Sequence, residues 1–596
     1  MAAILFPTAK AGRAPTAASR VEGGLALALL FAALAALSTI VGLAASATPA
    51  RAGLPPLSDR VPDWEEDDRR EIPLPKERDP NLLRDGIDES LFRPAGRLFH
   101  PGRAVRRVGA LFGGDRARAA LNVNAIDEVP NSAWFTNRIG LYPVTPAAAA
   151  RGPARNEGPD KSGPWTIVRA KSEGVTPGFT IKDASGVTYF IKFDPPCCPG
   201  SSTAPGVITG RALHTIGYNV PEDFITSFRR EDLILGAKVS LTDPSGVKRP
   251  MVTADIDSIL ARVAAAPDGS WRAIASRLLD GKPVGPFNWE GRRKDDPSDR
   301  VNHEDRRELR AMRVFAAWLA HFDTKQHNSL DMYVEEGGRH YLRHYFIDFA
   351  STLGAGASGP FPKANFEYAG DISASFSRMI ALGFHEDDWR KLKRPDGLEE
   401  VGYYESVEFD PAEWKPLNPN AAFANLTNRD GYWAAKIISS FTDAHIDALV
   451  DEGRYRSPDA ARWIARGMAE RRDKIAHYWF DRVAPLDFFT TDGARFAFRD
   501  LGVERGIYLD NTSAYRIRVA ACDADRNTGE WTKWIDGERP EFDLTENGAT
   551  EAMNRDDPAR RPFLAVEAAV SRAGKWSDPV RAYVARASGR VVAIER

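Results

Sequence analysis

The chain contains very little cysteine and almost no net charge, and both scarcities exclude whole classes of protein. Only three of its 596 residues are cysteine, which excludes a scaffold built from disulfides. Cys197 and Cys198 are neighbours in a Pro-flanked loop and are expected to be two thiols. The 80 basic and 82 acidic residues give a formal net charge of −2, without a long basic stretch. No nucleic-acid partner is therefore expected.

Several motifs of common enzyme classes are also missing. The sequence contains no Gly-x-Ser-x-Gly nucleophile elbow, no His-Glu-x-x-His zinc motif and no Gly-x-x-x-x-Gly-Lys-Ser/Thr phosphate loop. Serine hydrolases of the elbow type, metalloproteases of the zincin type and P-loop nucleotide hydrolases are therefore not indicated.

Long apolar runs are scarce, and the one that is present lies near the N-terminus. Lys10, Arg13 and Arg20 precede a charge-free, mostly apolar stretch at 25–47, and small-x-small patterns follow near its end. This pattern predicts a secretory signal within 1–52. The stretch is also about long enough to span a bilayer, so an uncleaved membrane anchor is the alternative. Because the positive charges precede the stretch, either outcome predicts an exported chain: periplasmic, extracellular, or anchored with its bulk outside the cytoplasm.

Composition and periodicity divide the remaining chain into four regions. Residues 53–164 are rich in Pro and charge, which predicts an extended N-terminal region and linker. Short β-rich runs dominate 165–245, including one at Phe224–Phe228 and a pair separated by a tight turn at 184–186. Helical periodicity dominates 246–487 (365–485 in particular), where Ser457-Pro458 is expected to cap a helix at 459–483. Short strands return in 488–596. The predicted fold class is therefore α+β, with a small, sandwich-like β-domain at the C-terminal end.

One polar segment stands between a predicted helix and a predicted hairpin. Apolar residues recur at three- and four-residue spacing from Leu309 to Phe322, which predicts the helix. Strand-like runs at 329–334 and 341–348, separated by Glu-Glu-Gly-Gly, predict the hairpin. The segment between them reads His-Phe-Asp-Thr-Lys-Gln-His-Asn, and the hairpin ends in Ile-Asp-Phe at Asp348. Two carboxylates, Asp323 and Asp348, and one amide, Asn328, thus lie at the ends of the predicted helix and hairpin.

This arrangement resembles the catalytic loop and the metal-binding motif of protein kinases, His-Arg-Asp-x-Lys-x-x-Asn followed by Asp-Phe-Gly. Asp323 and Asn328 are separated by five positions, as in that family. The resemblance implies that Asp323 accepts the proton of a substrate hydroxyl and that Lys325 steadies the transferred phosphoryl group. It further implies that Asn328 and Asp348 bind Mg²⁺ or Mn²⁺. The resemblance spans roughly 165–485 and is closer in layout to atypical bacterial kinases, such as HipA-like and secreted spore-coat kinases, than to the eukaryotic-type enzymes.

The same resemblance implies an N-lobe at 165–245 and a mainly helical C-lobe at 246–487. Tyr-Phe-Ile-Lys, which ends at Lys192, resembles the third-strand Val-Ala-Ile-Lys motif, so Lys192 is expected to hold the phosphates of ATP. Gly174 and Gly178 lie between the first two predicted strands, where kinases place their Gly-rich loop.

The sequence departs from the family's pattern in two places. No acidic residue occurs between Asp194 and Glu222, so the helix predicted at 207–217 cannot supply the Glu that pairs with the family's lysine. Either another carboxylate, such as Glu173 or Glu222, replaces it, or the site is degenerate. In addition, Ala350 stands at the position of the glycine in Asp-Phe-Gly.

Three functions remain open on this evidence. The first is an exported kinase that transfers the γ-phosphate of ATP to a hydroxyl on an envelope protein or small molecule. The second is a catalytically inactive pseudokinase that acts as an envelope scaffold or binding protein. The third is a structural envelope protein without a kinase relationship. This third function predicts that the side chains of residues 323, 328 and 348 lie more than about 10 Å apart, beyond the span of a metal clamp.

Overall fold

The computed structural model describes residues 55–78, 118–170, 177–242, 247–369, 371, 378–379, 386–492, 495–509, 513–545 and 557–596. The predicted signal or anchor at 1–52 lies outside these ranges. All described residues from 56 onward belong to one compact unit. Within this described part of the chain, no helix combines the length and apolarity that crossing a membrane requires. The structure mixes α-helices with several β-sheets. The division into two lobes and the domain boundaries remain predictions.

A six-stranded sheet is the first large element among the described residues. The elements of this region are α1 (Pro146–Arg151), β1 (Trp165–Ala170), β2 (Gly178–Lys182), β3 (Thr188–Phe193), α2 (Thr203–Ile216), β4 (Asp223–Phe228), β5 (Leu233–Leu235), β6 (Ser240–Thr242), β7 (Lys248–Pro250), α3 (Thr253–Leu260), β8 (Trp271–Arg277) and β9 (Lys282–Pro283). The strand order is β4-β8-β3-β2-β1-β5, and every pair is antiparallel except β1 with β5. β8, which lies outside the predicted range 165–245, thus occupies the position between β3 and β4.

The predicted turn between β2 and β3 is confirmed and has a local cause. The carboxylate of Asp183 accepts hydrogen bonds from the backbone of Ser185 at 3.0 Å and of Val187 at 2.8 Å. Gly186 adopts a φ of +84°, which a glycine accepts without steric cost. The turn sets the register that places Gly178 opposite Lys192.

The helix α2 covers one face of this sheet and begins at a side-chain cap. Asp194 accepts hydrogen bonds from the backbone of Ser202 at 2.9 Å and of Thr203 at 2.8 Å, which satisfies amides at the start of the helix. Gly206 and Gly210 allow close approach, because a Cβ atom on Gly206 would lie 2.9 Å from Cδ1 of Ile274. The helix is buried along almost its whole length.

A helical core follows the sheet. Its elements are α4 (Arg307–Trp318), β10 (Ser329–Glu336), β11 (Arg339–Phe346), β12 (Ala355–Gly356), β13 (Gly359–Pro360), α5 (Ala421–Ala424), α6 (Asn428–Ile438), α7 (Asp443–Asp451) and α8 (Pro458–Phe480). α4 packs against α6 and α8, and Trp318 and Trp433 are fully buried there. The predicted cap of α8 is confirmed, because Ser457 accepts a hydrogen bond from the backbone of Asp459. The prediction of helix from 365 is wrong for 386–420, where the only helical element is the 3₁₀ turn Asp388–Arg390.

The C-terminal region consists of two sheets. Its elements are β14 (Leu486–Thr491), β15 (Arg495–Asp500), α9 (Leu501–Glu504), β16 (Ser513–Cys522), β17 (Ile535–Gly537), β18 (Glu541–Asp543), β19 (Phe563–Arg572), β20 (Lys575–Trp576), β21 (Val580–Ala585) and β22 (Val591–Glu595). One sheet has the order β14-β15-β18, and the other has the order β17-β16-β19-β21-β22 with β20 beside β19. Phe496 and Phe498 of the first sheet share one hydrophobic core with Ile517 and Val566 of the second. The two sheets therefore pack as a sandwich.

The expectation of two thiols at Cys197 and Cys198 is wrong in this structure, which joins them in a disulfide. The chain turns here through hydrogen bonds from the backbone of Cys198 to Pro195 and of Ser201 to Cys198. The turn directs both sulfur atoms toward Gly359, so that a Cβ atom there would lie 3.0 Å from Sγ of Cys197. Cys522 is buried and is not part of a disulfide.

An interior charge network ties the helical core to the β-sandwich. It consists of Asp127, Glu128, Arg307, Asp430, Lys436, Asp487 and Arg596. Lys436 binds Glu128 and lies 3.1 Å from the carboxylate of Asp487, which in turn lies 2.9 Å from Nη2 of Arg596. Arg307 contacts Asp127 at 2.7 Å and Asp430 at 3.1 Å. Each buried charge thus has an opposite charge beside it, which is the condition for burying charge without large cost.

Candidate active site

The hairpin β10–β11 brings Asn328 and Asp348 to neighbouring positions. Ser329 pairs with Phe346 at the open end of the hairpin, so the residues just outside this pair are adjacent. The backbone N–H of Ile347 donates to the carbonyl of Asn328 at 3.0 Å. The antiparallel register therefore sets the position of Asp348 relative to Asn328.

Asp323 is fixed to the same loop by two contacts. The side-chain amide of Asn328 donates to the backbone carbonyl of Asp323 at 2.7 Å, which leaves the amide oxygen as the group of Asn328 suited to bind a cation. Nζ of Lys325 lies 3.0 Å from Oδ2 of Asp323. A 3₁₀ turn at Gln326–Asn328 closes the loop. These contacts link Asp323 to Asn328, and the hairpin links Asn328 to the residue before Asp348.

Asp348 adopts a left-handed backbone conformation, with a φ of +63°. This conformation is uncommon for a residue other than glycine, and such residues cluster at functional sites. The following residue, Phe349, packs against α2, where a Cβ atom on Gly210 would lie 3.3 Å from its ring. Thr352 and Thr209 add a hydrogen bond of 2.9 Å between their hydroxyls. The helix α2 thus supports the segment that carries Asp348.

Lys192 and Asp348 form an ion pair with a distance of 3.0 Å between Nζ and Oδ1. The pair joins the six-stranded sheet to the end of the β10–β11 hairpin. The side chain of Asp348 is 44% exposed and that of Lys192 is 25% exposed, so solvent and ligands can reach both. Gly178 lies opposite Lys192 on β2, whereas Gly174 lies outside the described residues. Lys192, Asp323, Lys325, Asn328 and Asp348 are called the open polar cluster below.

Four buried polar atoms near this cluster lack a hydrogen-bond partner among the described residues. They are Nδ1 of His321, Oδ1 of Asp323, Oγ1 of Thr324 and Oε1 of Gln326. Buried polar groups are almost always paired, so a run of such atoms in one loop is unusual. Burial lowers the pKa of His321, although the nearby carboxylate of Asp323 acts in the opposite direction. Nδ1 of His321 and Oδ1 of Asp323 are thus buried in this loop without a hydrogen-bond partner among the described residues.

Of the two carboxylates considered as partners of Lys192, the one that the structure describes, Glu222, binds other cations. Glu173 lies outside the described residues. Glu222 binds Arg155, at 2.6 Å from its Nε, and lies 3.5 Å from Arg277. The next residue, Asp223, faces the other side of the sheet and is buried. Burial raises the pKa of Asp223 to about 6, while a hydrogen bond from Ser276 and the charge of Lys192 act to lower it.

Asp223 was not identified from the sequence, although a signal for it exists. Successive residues of a strand point to opposite faces, so one residue of the pair Glu222–Asp223 had to face α2. That reasoning requires the strand to begin at Asp223, one residue before the predicted start at Phe224. It also requires β8 beside β4, a neighbour that the sequence pattern does not reveal.

The atoms of the cluster match the requirements of Mg²⁺ more closely than those of a transition metal. Mg²⁺ prefers oxygen ligands and is usually held by one or two carboxylates together with substrate phosphates and water. Asp348 and Asn328 offer a carboxylate and an amide oxygen in adjacent positions. The described residues contain no group of three or more His, Cys, Asp or Glu side chains that could hold a metal ion by themselves. The oxygen atoms of Asp348 and Asn328 are of the ligand type that Mg²⁺ prefers.

The similarity of this chain to known proteins is structural and weak. No protein-family model matches the chain, and no curated protein matches it. Among solved structures, the chain is similar to the crystal structure of a proinflammatory kinase from Helicobacter pylori, CtkA. That match covers 53% of this chain and 100% of the other, with 12% identity and a TM-score of 0.28. The chain thus has a weak structural similarity to a kinase. The roles of its individual residues are inferred from the contacts within this chain.

Proposed function

We propose that the chain is a metal-dependent phosphotransferase that moves the γ-phosphoryl group of ATP to a hydroxyl group. The observation that carries the proposal is the convergence of three distant segments on the open polar cluster. Lys192 comes from a strand of the sheet, Asp323 from the loop after α4, and Asp348 from the end of a hairpin. The proposal is supported by the ion pairs Lys192–Asp348 and Lys325–Asp323 and by the hydrogen bond between Asn328 and the backbone of Asp323.

Each residue of the cluster has a distinct task in this proposal. The ammonium of Lys192 binds phosphate oxygens, and the oxygens of Asn328 and Asp348 bind the metal ion that neutralises the phosphates when bound. Asp323 orients the acceptor hydroxyl and accepts its proton on the carboxylate. Lys325 is already bound to Oδ2 of Asp323 and stabilises the negative charge that develops on the transferred group.

The acceptor and its location extend the same proposal. The N-terminal pattern supports export, so the acceptor hydroxyl belongs to a protein or small molecule of the cell envelope.

The alternative is a pseudokinase that serves as an envelope scaffold or binding protein. That alternative is supported by the absence of any acidic residue on α2 and by the engagement of Lys192 with Asp348.

The test is a thermal-shift titration of the full chain with ATP and either Mg²⁺ or Mn²⁺. The proposal predicts an increase in melting temperature that requires both ATP and the metal, because a ligand that binds the folded state stabilises it by mass action. Asp348→Asn, which retains shape and tolerates a positive φ, should abolish the increase. Asp396→Asn, in an exposed turn, is the matched control and should retain it. The absence of any increase at millimolar ATP with either metal would favour the scaffold.

A further inference from the structure

Lys192 and Asp223 lie on the same face of the six-stranded sheet. β8 pairs with β3 on one side and with β4 on the other, so Ile274 lies opposite both Lys192 and Ile225. Asp223 is two residues before Ile225, and residues two apart on a strand share a face. This is the face that α2 covers, because Ile225 and Ile274 pack against Val207 of that helix.

The carboxylate of Asp223 lies in the narrow space between this face and α2. A Cβ atom on Gly210 would lie 3.6 Å from Oδ2 of Asp223 and 3.3 Å from the ring of Phe349, the residue after Asp348. The absence of a side chain at Gly210 thus leaves room for the carboxylate beside the segment that carries Asp348. Oδ1 of Asp223 is buried and has no hydrogen-bond partner among the described residues. A buried carboxylate oxygen without a donor is costly unless a cation or donor pairs with it in another state.

The other carboxylates near this face are already engaged. Asp194 caps α2 and lies 3.7 Å from Arg272, and Glu222 binds Arg155 on the opposite face. The charges of Lys192 and Asp348 both act on Asp223, with opposite effects on its pKa. Asp223 is therefore electrostatically coupled to the pair while Lys192 itself contacts Asp348.

Metal binding at Asp348 would remove the present partner of Lys192. The metal ion and the ammonium would then compete for a single carboxylate, and two cations close together repel each other. We propose that Lys192 has two alternative carboxylate partners. Its ammonium pairs with Asp348 in the ligand-free chain and with Asp223 when Asp348 binds a metal ion. This inference depends on the proposed function for its second state. Asp223 then acts as a positioning residue that keeps the ammonium directed at the phosphates.

The first experiment needs no nucleotide. Asp348→Asn removes the charge that now pairs with Lys192, and the proposal predicts that Asp223 then takes up the ammonium. Asp223→Asn should therefore lower the melting temperature of the full chain more in the Asp348→Asn background than in the parent. Glu222→Gln, its neighbour on the opposite face, is the matched control and should have the same effect in both backgrounds. Equal effects of Asp223→Asn in the two backgrounds would overturn the proposal.

The second experiment measures binding of ATP with Mg²⁺ and of adenosine by calorimetry. Asp223→Asn should weaken ATP binding about tenfold, a change of about 1.4 kcal/mol, and leave adenosine binding unchanged. Asp223→Glu should restore part of the loss, and Asp223→Asn should add nothing in a Lys192→Met background. Equal losses for ATP and adenosine would indicate a purely structural role and overturn the proposal.

The two experiments separate the two proposals. If the parent chain binds ATP and Asp223→Asn binds it equally well, the proposed function stands and this inference fails. If the parent binds no nucleotide but the ligand-free experiment shows the coupling, the proposed function fails, and the shared lysine remains as a structural feature.

Discussion

The interior charge network and the open polar cluster are built from the same kinds of side chain but differ in how those side chains are satisfied. In the network, Lys436 is 1% exposed and lies between two carboxylates, and none of the seven described side chains has a buried polar atom without a partner. In the cluster, Asp348 is 44% exposed and has a positive φ, and Oδ1 of Asp323 is buried without a partner among the described residues. One set of charges is arranged for stability, and the other is not.

This difference indicates where the chain retains unfavourable features. A folded chain generally pairs its buried polar groups, and exceptions persist where binding or catalysis needs them. The network joins Asp127, α6, the start of the β-sandwich and Arg596, so its role is to hold these parts together. The cluster lies at the ends of elements, and its ion pairs are partly exposed. Substitutions should therefore separate the two sets by their effects on stability and on binding.

The largest effect is expected for Lys436→Met. This substitution retains the volume of the side chain but leaves the carboxylates of Glu128 and Asp487 buried without their shared cation. Breaking a buried ion pair from one side typically costs about 3–5 kcal/mol in the free energy of unfolding. Lys325→Met, the same change in the open polar cluster, should cost less than about 1 kcal/mol because that pair is partly exposed. Urea unfolding of both variants measures the difference, and similar losses would show that the two sets are equivalent.

A second prediction uses pH to compare two buried carboxylates: Asp223, which lies near the open polar cluster, and Asp487 of the interior charge network. Burial raises the pKa of Asp223 to about 6, so its contribution to stability is complete below the unfolded value of 3.8 and is lost as the pH rises through 6. Burial alone would also raise the pKa of Asp487, but Arg596 and Lys436 hold it below 3.8. The contribution of Asp487 is therefore present above 3.8 and is lost only as the pH falls below that value.

The measurement is the free energy of unfolding of the parent, Asp223→Asn and Asp487→Asn at pH 7 and pH 4. Between these values the parent should gain about 2 kcal/mol relative to Asp223→Asn, because the folded chain holds the Asp223 proton more tightly than the unfolded chain does. Relative to Asp487→Asn the parent should hardly change, because nearly all of that titration lies below pH 4. A parallel response of both variants would contradict the assignment of opposite pKa changes to the two carboxylates.

The sequence predicts most of the local structure around the cluster and little of what depends on distant pairing. The turn after Asp183, the β10–β11 hairpin and the cap at Ser457 follow from neighbouring residues, and the structure confirms them. The adjacency of Asn328 and Asp348 also follows, because one hairpin register sets it. Asp223 does not follow, because its surroundings depend on β8, whose Trp-Arg-Ala-Ile-Ala-Ser-Arg sequence lacks a clear strand pattern. The interior network is equally inaccessible, since its members meet only in three dimensions.

The third prediction tests the backbone at Asp348. Asp348→Gly and Asp348→Ala remove the same carboxylate and the same ion pair with Lys192, so their difference isolates the effect of the positive φ. The glycine variant should be more stable by about 1 kcal/mol, because alanine pays a steric cost in this conformation. At Asp323, where φ is not positive, the order of the corresponding variants should reverse. The network contains its own example at Asp127, with a φ of +64°, and Asp127→Gly against Asp127→Ala extends the test.

The smallest effect on stability is expected for Asp323→Asn, which should also have a large effect on activity. Oδ1 of Asp323 has no partner among the described residues, and the contact of Oδ2 with Lys325 is partly exposed, so losing the charge removes little that is favourable. The free energy of unfolding should change by less than about 0.5 kcal/mol or increase slightly, as is common at functional sites.

ATP turnover of Asp323→Asn, measured as ADP release, should fall by about 10²-fold or more, because a proton acceptor typically contributes 10²–10⁴-fold to the rate. Binding of ATP with Mg²⁺ should be retained, since Lys192, Asn328 and Asp348 are unchanged. A loss of stability above about 2 kcal/mol would instead assign Asp323 the same structural role as the carboxylates of the interior network.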